Sequence, residues 1–213
     1  MFTEHFSCQL YLVLGTKDCK HHGIEALIAQ ALAGGVDCVQ LREKELDDAS
    51  YLALARKVAP QIKAANALFL LNDRPHLIKE SQADGCHLGQ GDMPLDQARA
   101  LYGRDAIFGL SVGSLAERQA SGVDQQGFSA DYVAIGPAFA TESKSDAGAA
   151  LGIKGLKSIA KGINKPLVAI GGITIQNARQ IYDAGFGSIA VISAIAGQKD
   201  PQQAAHALKS AMF

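Results

Sequence analysis

The sequence has 213 residues, 48% of them hydrophobic, which is enough to bury a full core. Its formal net charge is −1, so it has no excess of positive charge that would favour binding to nucleic acid or to an anionic membrane. No apolar stretch reaches the roughly 18 residues that suggest a membrane span, and the first residues lack the pattern of a signal peptide. The four cysteines include no C-x-x-C pair, which favours a reduced, cytoplasmic protein.

Short apolar runs alternate along the whole chain with amphipathic stretches. Buried strands are predicted at 10–14, 38–41, 68–71, 85–88, 107–111, 132–136, 167–170 and 188–191. Helices are predicted at 24–33, 50–65, 95–102, 115–122, 153–160, 174–183 and 201–212, with Thr174 as the cap of the helix that it begins. Strand–helix alternation favours a parallel sheet, and eight units favour closure into a single (β/α)8 TIM barrel spanning residues 1–213.

Two acidic residues directly follow adjacent predicted strands. Asp73 comes after the third strand and Asp92 after the fourth. In a parallel sheet both strand ends lie on the same rim, so the two carboxylates are expected to converge. Converging oxygen ligands with room for water suit Mg²⁺ bound together with a substrate phosphate. Each aspartate alone also suits the cap of the following helix, and it is the content of the other loops that favours the metal interpretation.

Cations, amides and hydroxyls follow the other strands. Barrel active sites form at the C-terminal strand ends, and alternation along the second strand turns Gln40, Arg42 and Lys44 to one side. Cations and acids together fit a polyphosphate held by Mg²⁺ and by Arg or Lys. The further polar residues expected at this rim are Asn72, Gln90, Ser111, Thr141, Ser143 and Lys144.

The last two strand ends predict a second anion site. Gly171 and Gly172 follow the seventh strand, and Ile192 and Ser193 follow the eighth. In many barrels these two loops bind a phosphate through backbone N–H groups. Two anion sites indicate two phosphorylated substrates.

Five segments resemble the thiamine-phosphate synthase (thiamine-phosphate pyrophosphorylase) family. They are VQLREK at 39–44, LLNDR at 70–74, HLGQGDMP at 87–94, GPAFATESKSDA at 136–147 and AIGGIT at 169–174. The resemblance runs from the first strand to the eighth. It implies that a 4-amino-2-methylpyrimidin-5-ylmethyl group is transferred from its diphosphate to the nitrogen of 4-methyl-5-(2-phosphoethyl)thiazole. The products would be thiamine phosphate and pyrophosphate, and the partners of the protein would be these two small phosphorylated heterocycles.

The resemblance also implies roles for individual residues. Asp73 and Asp92 would hold Mg²⁺, and Arg42, Lys44, Ser111 and Lys144 would be catalytic. The pyrimidine diphosphate would contact Gln40, Leu41, Arg42, Glu43, Lys44, Asn72, Ser111 and Lys144. The thiazole phosphate would contact Thr141, Ser143, Gly172, Ile192 and Ser193.

Two alternative functions are a thiazole tautomerase and a non-catalytic phosphate sensor on the same fold. Members of the family often carry Ser-x-His after the fifth strand, and this chain has Ser111-Val112-Gly113. A tautomerase is expected to use that histidine as acid or base, so Gly113 disfavours it. A sensor has no need of two convergent acids. His87, within the fourth strand, is more typical of a buried, hydrogen-bonded core residue than of a catalyst.

Overall fold

Eight parallel strands close into a barrel in the computed structural model, which describes residues 6–125, 128–143 and 148–213. Each strand pairs with the next along the chain, and the last pairs with the first. The predicted (β/α)8 fold is confirmed. The strands are β1 Leu10–Leu14, β2 Cys38–Leu41, β3 Leu68–Asn72, β4 Gly85–Leu88, β5 Ile107–Val112, β6 Tyr132–Ile135, β7 Leu167–Ile170 and β8 Ser188–Val191.

Helices connect the strands on the outside of the barrel. They are α1 Ile24–Ala33, α2 Asp48–Ala64, α3 Ile78–Ser81, α4 Leu95–Tyr102, α5 Leu115–Ala120, α6 Gly152–Ala160, α7 Ala178–Asp183, α8 Ser193–Ala196 and α9 Pro201–Met212. Short 3-10 helices at Thr16–Asp18 and Pro75–Leu77 follow β1 and β3. Within the described ranges, none of these helices combines the length and apolar character needed to cross a bilayer.

The core has two layers because side chains alternate along each strand. Val39 and Leu41 of β2 belong to the outer layer, packed between the sheet and the helices. Cys38 and Gln40 of the same strand point into the barrel, where Cys38 packs in the inner apolar cluster. Arg42 and Lys44, which follow β2 in the same alternation, therefore lie at the C-terminal rim on the inner side.

Three aspartates secure the opposite, N-terminal rim of the barrel. Asp37, Asp84 and Asp131 stand directly before β2, β4 and β6. Each accepts a backbone N–H at the start of the preceding strand and contacts a cation from a surrounding helix. The partners are Leu10 and Lys209 for Asp37, Phe69 and Lys63 for Asp84, and Phe108 and Arg99 for Asp131. These contacts stabilise the N-terminal rim, and barrel active sites form at the C-terminal rim.

Candidate active site

A cavity of about 1520 Å³ opens at the C-terminal ends of the strands. Typical pockets for one small ligand measure roughly 300–1000 Å³, so this one has room for two. Most of the residues predicted at the rim line it. These are Arg42, Lys44, Asn72, Asp73, Gln90, Asp92, Ser111, Thr141, Ser143, Gly172, Ile192 and Ser193.

Asp73 and Asp92 meet at one end of the cavity, as the strand order requires. The backbone N–H of Asp73 donates to the carbonyl of His87 at 3.0 Å, which ties the end of β3 to β4. Asp92 folds back so that its Oδ2 accepts the N–H of Gly89 at 2.7 Å. Burial, followed by a hydrogen bond and the negative charge of Asp92, raises the pKa of Asp73 to about 7. The two carboxyl groups therefore act as a coupled pair.

The positive side of the cavity begins with the residues that follow β2. Arg42 and Lys44 both line the cavity, and Arg42 is almost completely buried. The charge of Lys44 acts on Asp73 and opposes the rise of its pKa, which places this ammonium group near the acid pair. Lys144, the third cation predicted for this side, lies outside the described residues. An acid pair and cations thus share one end of the cavity.

Among the residues that the structure describes, three that were predicted to contact the pyrimidine diphosphate are not among those lining the cavity. Leu41 points outwards into the layer between the sheet and the helices. The side chain of Glu43 is buried, and its Oε1 accepts the backbone N–H of Thr16 at 2.5 Å, which holds the loop after β1. Gln40 points into the barrel below the cavity floor, with its Nε2 2.5 Å from the Tyr11 hydroxyl. For Leu41 and Glu43 the reason is the strand alternation that turns Arg42 and Lys44 inwards.

A second group of hydroxyls and glycines faces the cavity from β6, β7 and β8. The hydroxyl of Ser143 donates to Ser193 Oγ at 3.0 Å, and the N–H of Ser143 donates to Thr141 Oγ1 at 3.2 Å. Ser193 begins the short helix α8. Three of the residues predicted to hold the thiazole phosphate, Thr141, Ser143 and Ser193, are therefore linked by hydrogen bonds although they come from two different loops.

Gly172 lies in a turn that only glycine fits. Its φ is +62°, and a Cβ there would approach the carbonyl oxygen of Ala140 to 2.5 Å. Asn177 holds this turn, since its Nδ2 donates to the carbonyl of Gly172 at 3.0 Å and its Oδ1 accepts the N–H of Thr174 at 2.8 Å. The prediction that Thr174 caps the helix is wrong. The helix begins at Ala178, and Asn177 is its N-cap residue, because the chain first completes the turn that shapes the cavity wall.

His87 and Ser111 form the cavity floor. His87 is 7% exposed, and its Nε2 lies 2.8 Å from Ser111 Oγ while its Nδ1 lies 2.9 Å from the Tyr132 hydroxyl. The sequence-based expectation of a buried, hydrogen-bonded histidine is confirmed. Gln90 reaches across the rim, and its Nε2 donates to the backbone carbonyl of Ser111 at 2.6 Å.

Glu117 is a lining residue that the sequence analysis missed. Its Oε2 accepts the N–H of Gly113 at 2.7 Å, and its own N–H donates to Ser114 Oγ at 3.1 Å. A carboxylate therefore stands beside the position where related sequences often have histidine. The signal was present as the Ser-x-x-Glu spacing of a capping box at 114–117, but that spacing alone predicts only a helix start.

Together, the closed barrel and the acids, cations and hydroxyls gathered at its C-terminal rim define a (β/α)8 enzyme of the class that acts on small phosphorylated molecules. The chain matches the family described as thiamine monophosphate synthase (TMP-TENI) over residues 10–195. It is 40% identical over 199 residues to thiamine-phosphate synthase of Psychrobacter sp. (strain PRwf-1), an alignment that covers 93% of this chain and 92% of that protein. It is also 40% identical over 200 residues to the thiamine-phosphate synthase of Moorella thermoacetica, with 94% and 93% covered.

A solved structure agrees with the sequence relatives. Thiamine phosphate pyrophosphorylase from Pyrococcus furiosus superposes with a TM-score of 0.83 at 31% identity, covering 96% of this chain and 95% of that one. The chain belongs to the thiamine monophosphate synthase family. It is accordingly a transferase of thiamine biosynthesis with thiamine-phosphate synthase activity.

Proposed function

We propose that the acid and cation end of the cavity binds the pyrimidine diphosphate and that the hydroxyl and glycine end binds the thiazole phosphate. The observation that carries this division is the convergence of Asp73 and Asp92 beside Lys44, with Ser143 and Ser193 in contact in another part of the same cavity. Arg42, Lys44 and Lys144 would stabilise negative charge on the departing diphosphate. Thr141, Ser143, Gly172, Ile192 and Ser193 would hold the second substrate so that its ring nitrogen faces the reacting carbon.

The residues at the acid end fit a Mg²⁺ ion. Mg²⁺ is commonly bound through one or two carboxylates together with substrate phosphate oxygens and water, and Asp73 and Asp92 are two carboxyl groups close enough to be coupled. Within residues 6–125, 128–143 and 148–213 there is no group of three or more His, Cys, Asp or Glu side chains that could hold a metal. Two carboxylates would leave the other coordination positions of the ion to phosphate oxygens and water. When bound, Mg²⁺ would neutralise part of the charge of the leaving diphosphate.

The reaction is completed without proton transfer. The bond between the pyrimidine CH₂ carbon and the diphosphate oxygen breaks, and pyrophosphate leaves with the electron pair. The thiazole nitrogen then forms the new C–N bond with its lone pair. Because that nitrogen carries no proton, no general base is required, and the chain's residues act by binding, orienting and balancing charge.

We further propose that residues 1–213 form one domain and that the enzyme works in the cytoplasm. The barrel elements extend from Leu10 to Met212, which accounts for most of the chain. Cys8, Cys19, Cys38 and Cys86 are free thiols, as is usual in a reducing compartment.

The test is a turnover assay with both phosphorylated substrates over a range of Mg²⁺ concentrations, in the wild type and in Asp92→Asn. Asp92→Asn exchanges a carboxylate ligand for a neutral amide and should reduce Mg²⁺-dependent turnover severely while the far-UV circular dichroism spectrum stays unchanged. Asp105→Asn, an exposed position that does not line the cavity, is the matched control and should behave as wild type. Full activity of Asp92→Asn at limiting Mg²⁺ would remove the metal assignment.

A further inference from the structure

A continuous series of hydrogen bonds crosses the barrel interior and ends at the cavity floor. Gln40 Nε2 lies 2.5 Å from the Tyr11 hydroxyl, which lies 3.0 Å from the Tyr132 hydroxyl. Tyr132 continues to His87 Nδ1 at 2.9 Å, and His87 Nε2 reaches Ser111 Oγ at 2.8 Å. The series links residues of β2, β1, β6, β4 and β5 in turn.

The interior members of the series are shielded from water. Tyr132 is 0%, Tyr11 1% and Gln40 3% exposed. A buried hydroxyl must find its hydrogen-bond partners within the protein, and a hydrogen without an acceptor there is costly. Burial also raises the pKa of both tyrosines well above the ordinary value, so each is a neutral hydroxyl with one hydrogen to donate.

The position of Tyr132 is fixed from several sides. A Cβ on Gly109 would lie 2.0 Å from Tyr132 Cζ, so the glycine in β5 leaves the space that the ring occupies. Phe6 stacks on the Tyr132 ring with the centroids 4.0 Å apart. The ring cannot be placed elsewhere without rebuilding the barrel interior.

The series has a preferred direction. Gln40 Nε2 can only donate, so the Tyr11 oxygen accepts, and the single Tyr11 hydrogen remains to be given. The Tyr132 oxygen is a good acceptor, whereas the thiol of Cys38, the other group near Tyr11, is a weak one. Tyr132 then donates to His87 Nδ1, which leaves the ring hydrogen on Nε2, and Nε2–H donates to Ser111 Oγ. In the reverse direction, the Cys38 sulfur would be the acceptor left for the Tyr11 hydrogen among the groups that act on Tyr11 in the described part of the chain.

We propose that Gln40, Tyr11 and Tyr132 are positioning residues that hold His87 in the neutral Nε2–H tautomer and thereby turn the hydroxyl hydrogen of Ser111 into the cavity. Diphosphate oxygens only accept hydrogen bonds. A Ser111 whose hydrogen was directed at His87 would offer them nothing, whereas a Ser111 that accepts from His87 is free to donate. This inference rests on the proposed binding of the pyrimidine diphosphate beside Ser111. It assigns the buried residues Tyr11 and Tyr132 a role in positioning the Ser111 hydroxyl.

The first test measures the tautomer directly and uses no substrate. Long-range ¹⁵N–¹H correlation spectra distinguish a ring nitrogen that carries hydrogen from one that does not, and His87→Gln identifies the signals among the six histidines. The proposal requires hydrogen on Nε2 alone in the wild type. Hydrogen on Nδ1, or on both nitrogens, overturns it, whether or not the cavity binds diphosphate as proposed.

The second test uses kinetics and a double-mutant cycle. Tyr132→Phe keeps the ring but removes the link to His87, and it should lower kcat about tenfold, the effect of one well-placed hydrogen bond, with the KM for the thiazole phosphate nearly unchanged. In a Ser111→Ala background the same change should have almost no further effect, because both substitutions remove one function. If Tyr132→Phe lowers kcat by the same factor in the Ser111→Ala background as in the wild type, the proposal is contradicted.

Ser188→Ala is the matched control. Ser188 is also a buried residue of the barrel interior, but its hydroxyl donates to the carbonyl of Cys8 and is not part of the series. It should lose some stability and keep kcat. A similar loss of kcat in Ser188→Ala would show that the tyrosine effect is structural only. If Tyr132→Phe does not fold, Tyr11→Phe makes the same kinetic test one link further from Ser111, and an unchanged kcat in that variant counts against the proposal.

Discussion

Asp73 and Asp92 lie together as a half-buried pair of like charges, and partial burial and the Asp92 carboxyl group raise the pKa of Asp73 to about 7. In a folded protein such a pair needs a proton or a cation to relieve the repulsion between its charges. Lys44 supplies part of that relief. The affinity for Mg²⁺ and the stability of the fold are therefore both linked to pH through Asp73.

The affinity for Mg²⁺ should rise steeply with pH around neutrality. Below pH 7 the ion must displace the proton of Asp73, so affinity should fall by up to about tenfold for each unit of pH. Isothermal titration calorimetry of the protein with MgCl₂ between pH 6 and 8 measures this dependence. Asp73→Asn should bind Mg²⁺ weakly at every pH and lose the slope. If the affinity of the wild type for Mg²⁺ does not vary between pH 6 and 8, the link between Mg²⁺ binding and the proton of Asp73 is contradicted.

Asp73→Asn should also stabilise the protein when Mg²⁺ is absent. The pKa of Asp73 is raised in the folded state above its ordinary value near 4, so the penalty for its charge is absent at low pH and grows as pH rises from about 4 through 7. The asparagine variant should therefore have a higher Tm than the wild type at pH 8, and the difference should shrink towards pH 5. Excess Mg²⁺ should raise the Tm of the wild type more than that of the variant. A lower Tm for Asp73→Asn at pH 8 without Mg²⁺ would mean that the aspartate is a structural cap.

The N-terminal rim offers a stability test that leaves the active site untouched. Asp131 is 5% exposed, and its Oδ2 accepts from the N–H of Phe108 at 2.7 Å and from Arg99 at 2.6 Å. Asp131→Ala leaves both donors without this acceptor, and we expect a loss of about 3 kcal/mol in the free energy of unfolding. Asp124→Ala removes an exposed carboxylate that pairs with Arg118 and should cost much less, because solvent screens an ion pair at the surface. Urea unfolding curves for the two variants measure the difference, and equal losses would refute the role given to the rim.

Much of the fold could be predicted because the parallel strands are buried on both faces and appear as apolar runs bounded by polar residues. The polar residues after those runs, such as Asp73 and Asp92, could be placed on one rim from strand direction alone. The roles of neighbours such as Arg42 and Glu43 depend on which face of the strand they occupy. Strand alternation predicts which face each residue occupies. The family motif at 39–44 does not, because it treats the six residues as one continuous segment.

Contacts between distant segments could not be predicted. The hydroxyls of Tyr11 and Tyr132 meet across 121 positions of sequence, which depends on the register of a closed barrel. Asn177 looked like an ordinary helix residue, and its bonds to Thr174 and Gly172 became apparent only in three dimensions. Such residues carry no local pattern, since their partners come from the tertiary fold.

The division of the cavity into two anion sites can be tested by two substitutions. Lys144→Ala should reduce kcat through loss of positive charge near the departing pyrophosphate, by about 2–4 kcal/mol in transition-state stabilisation. Ser193→Ala should mainly raise the KM for the thiazole phosphate, because its hydroxyl belongs to the cluster with Ser143. Steady-state kinetics with each substrate varied in turn separates the two effects. If Ser193→Ala weakens only the pyrimidine diphosphate, the two sites have been assigned the wrong way round.

Gly113 occupies the position where related sequences often have histidine. Tautomerising a thiazole carboxylate phosphate moves a proton and needs a positioned acid or base, whereas coupling to the thiazole nitrogen needs neither. Gly113→His should therefore not raise the coupling rate, and the wild type should show no useful tautomerase activity. A Cβ at this position would lie 3.2 Å from the carbonyl oxygen of Gly136 and 3.3 Å from Glu117 Oε2, so the added side chain must shift the Glu117 carboxylate. Gly113→Ala is the control that separates this displacement from any effect of the imidazole. Both activities should be followed in all three proteins, and strong wild-type tautomerase turnover without coupling would contradict the functional assignment.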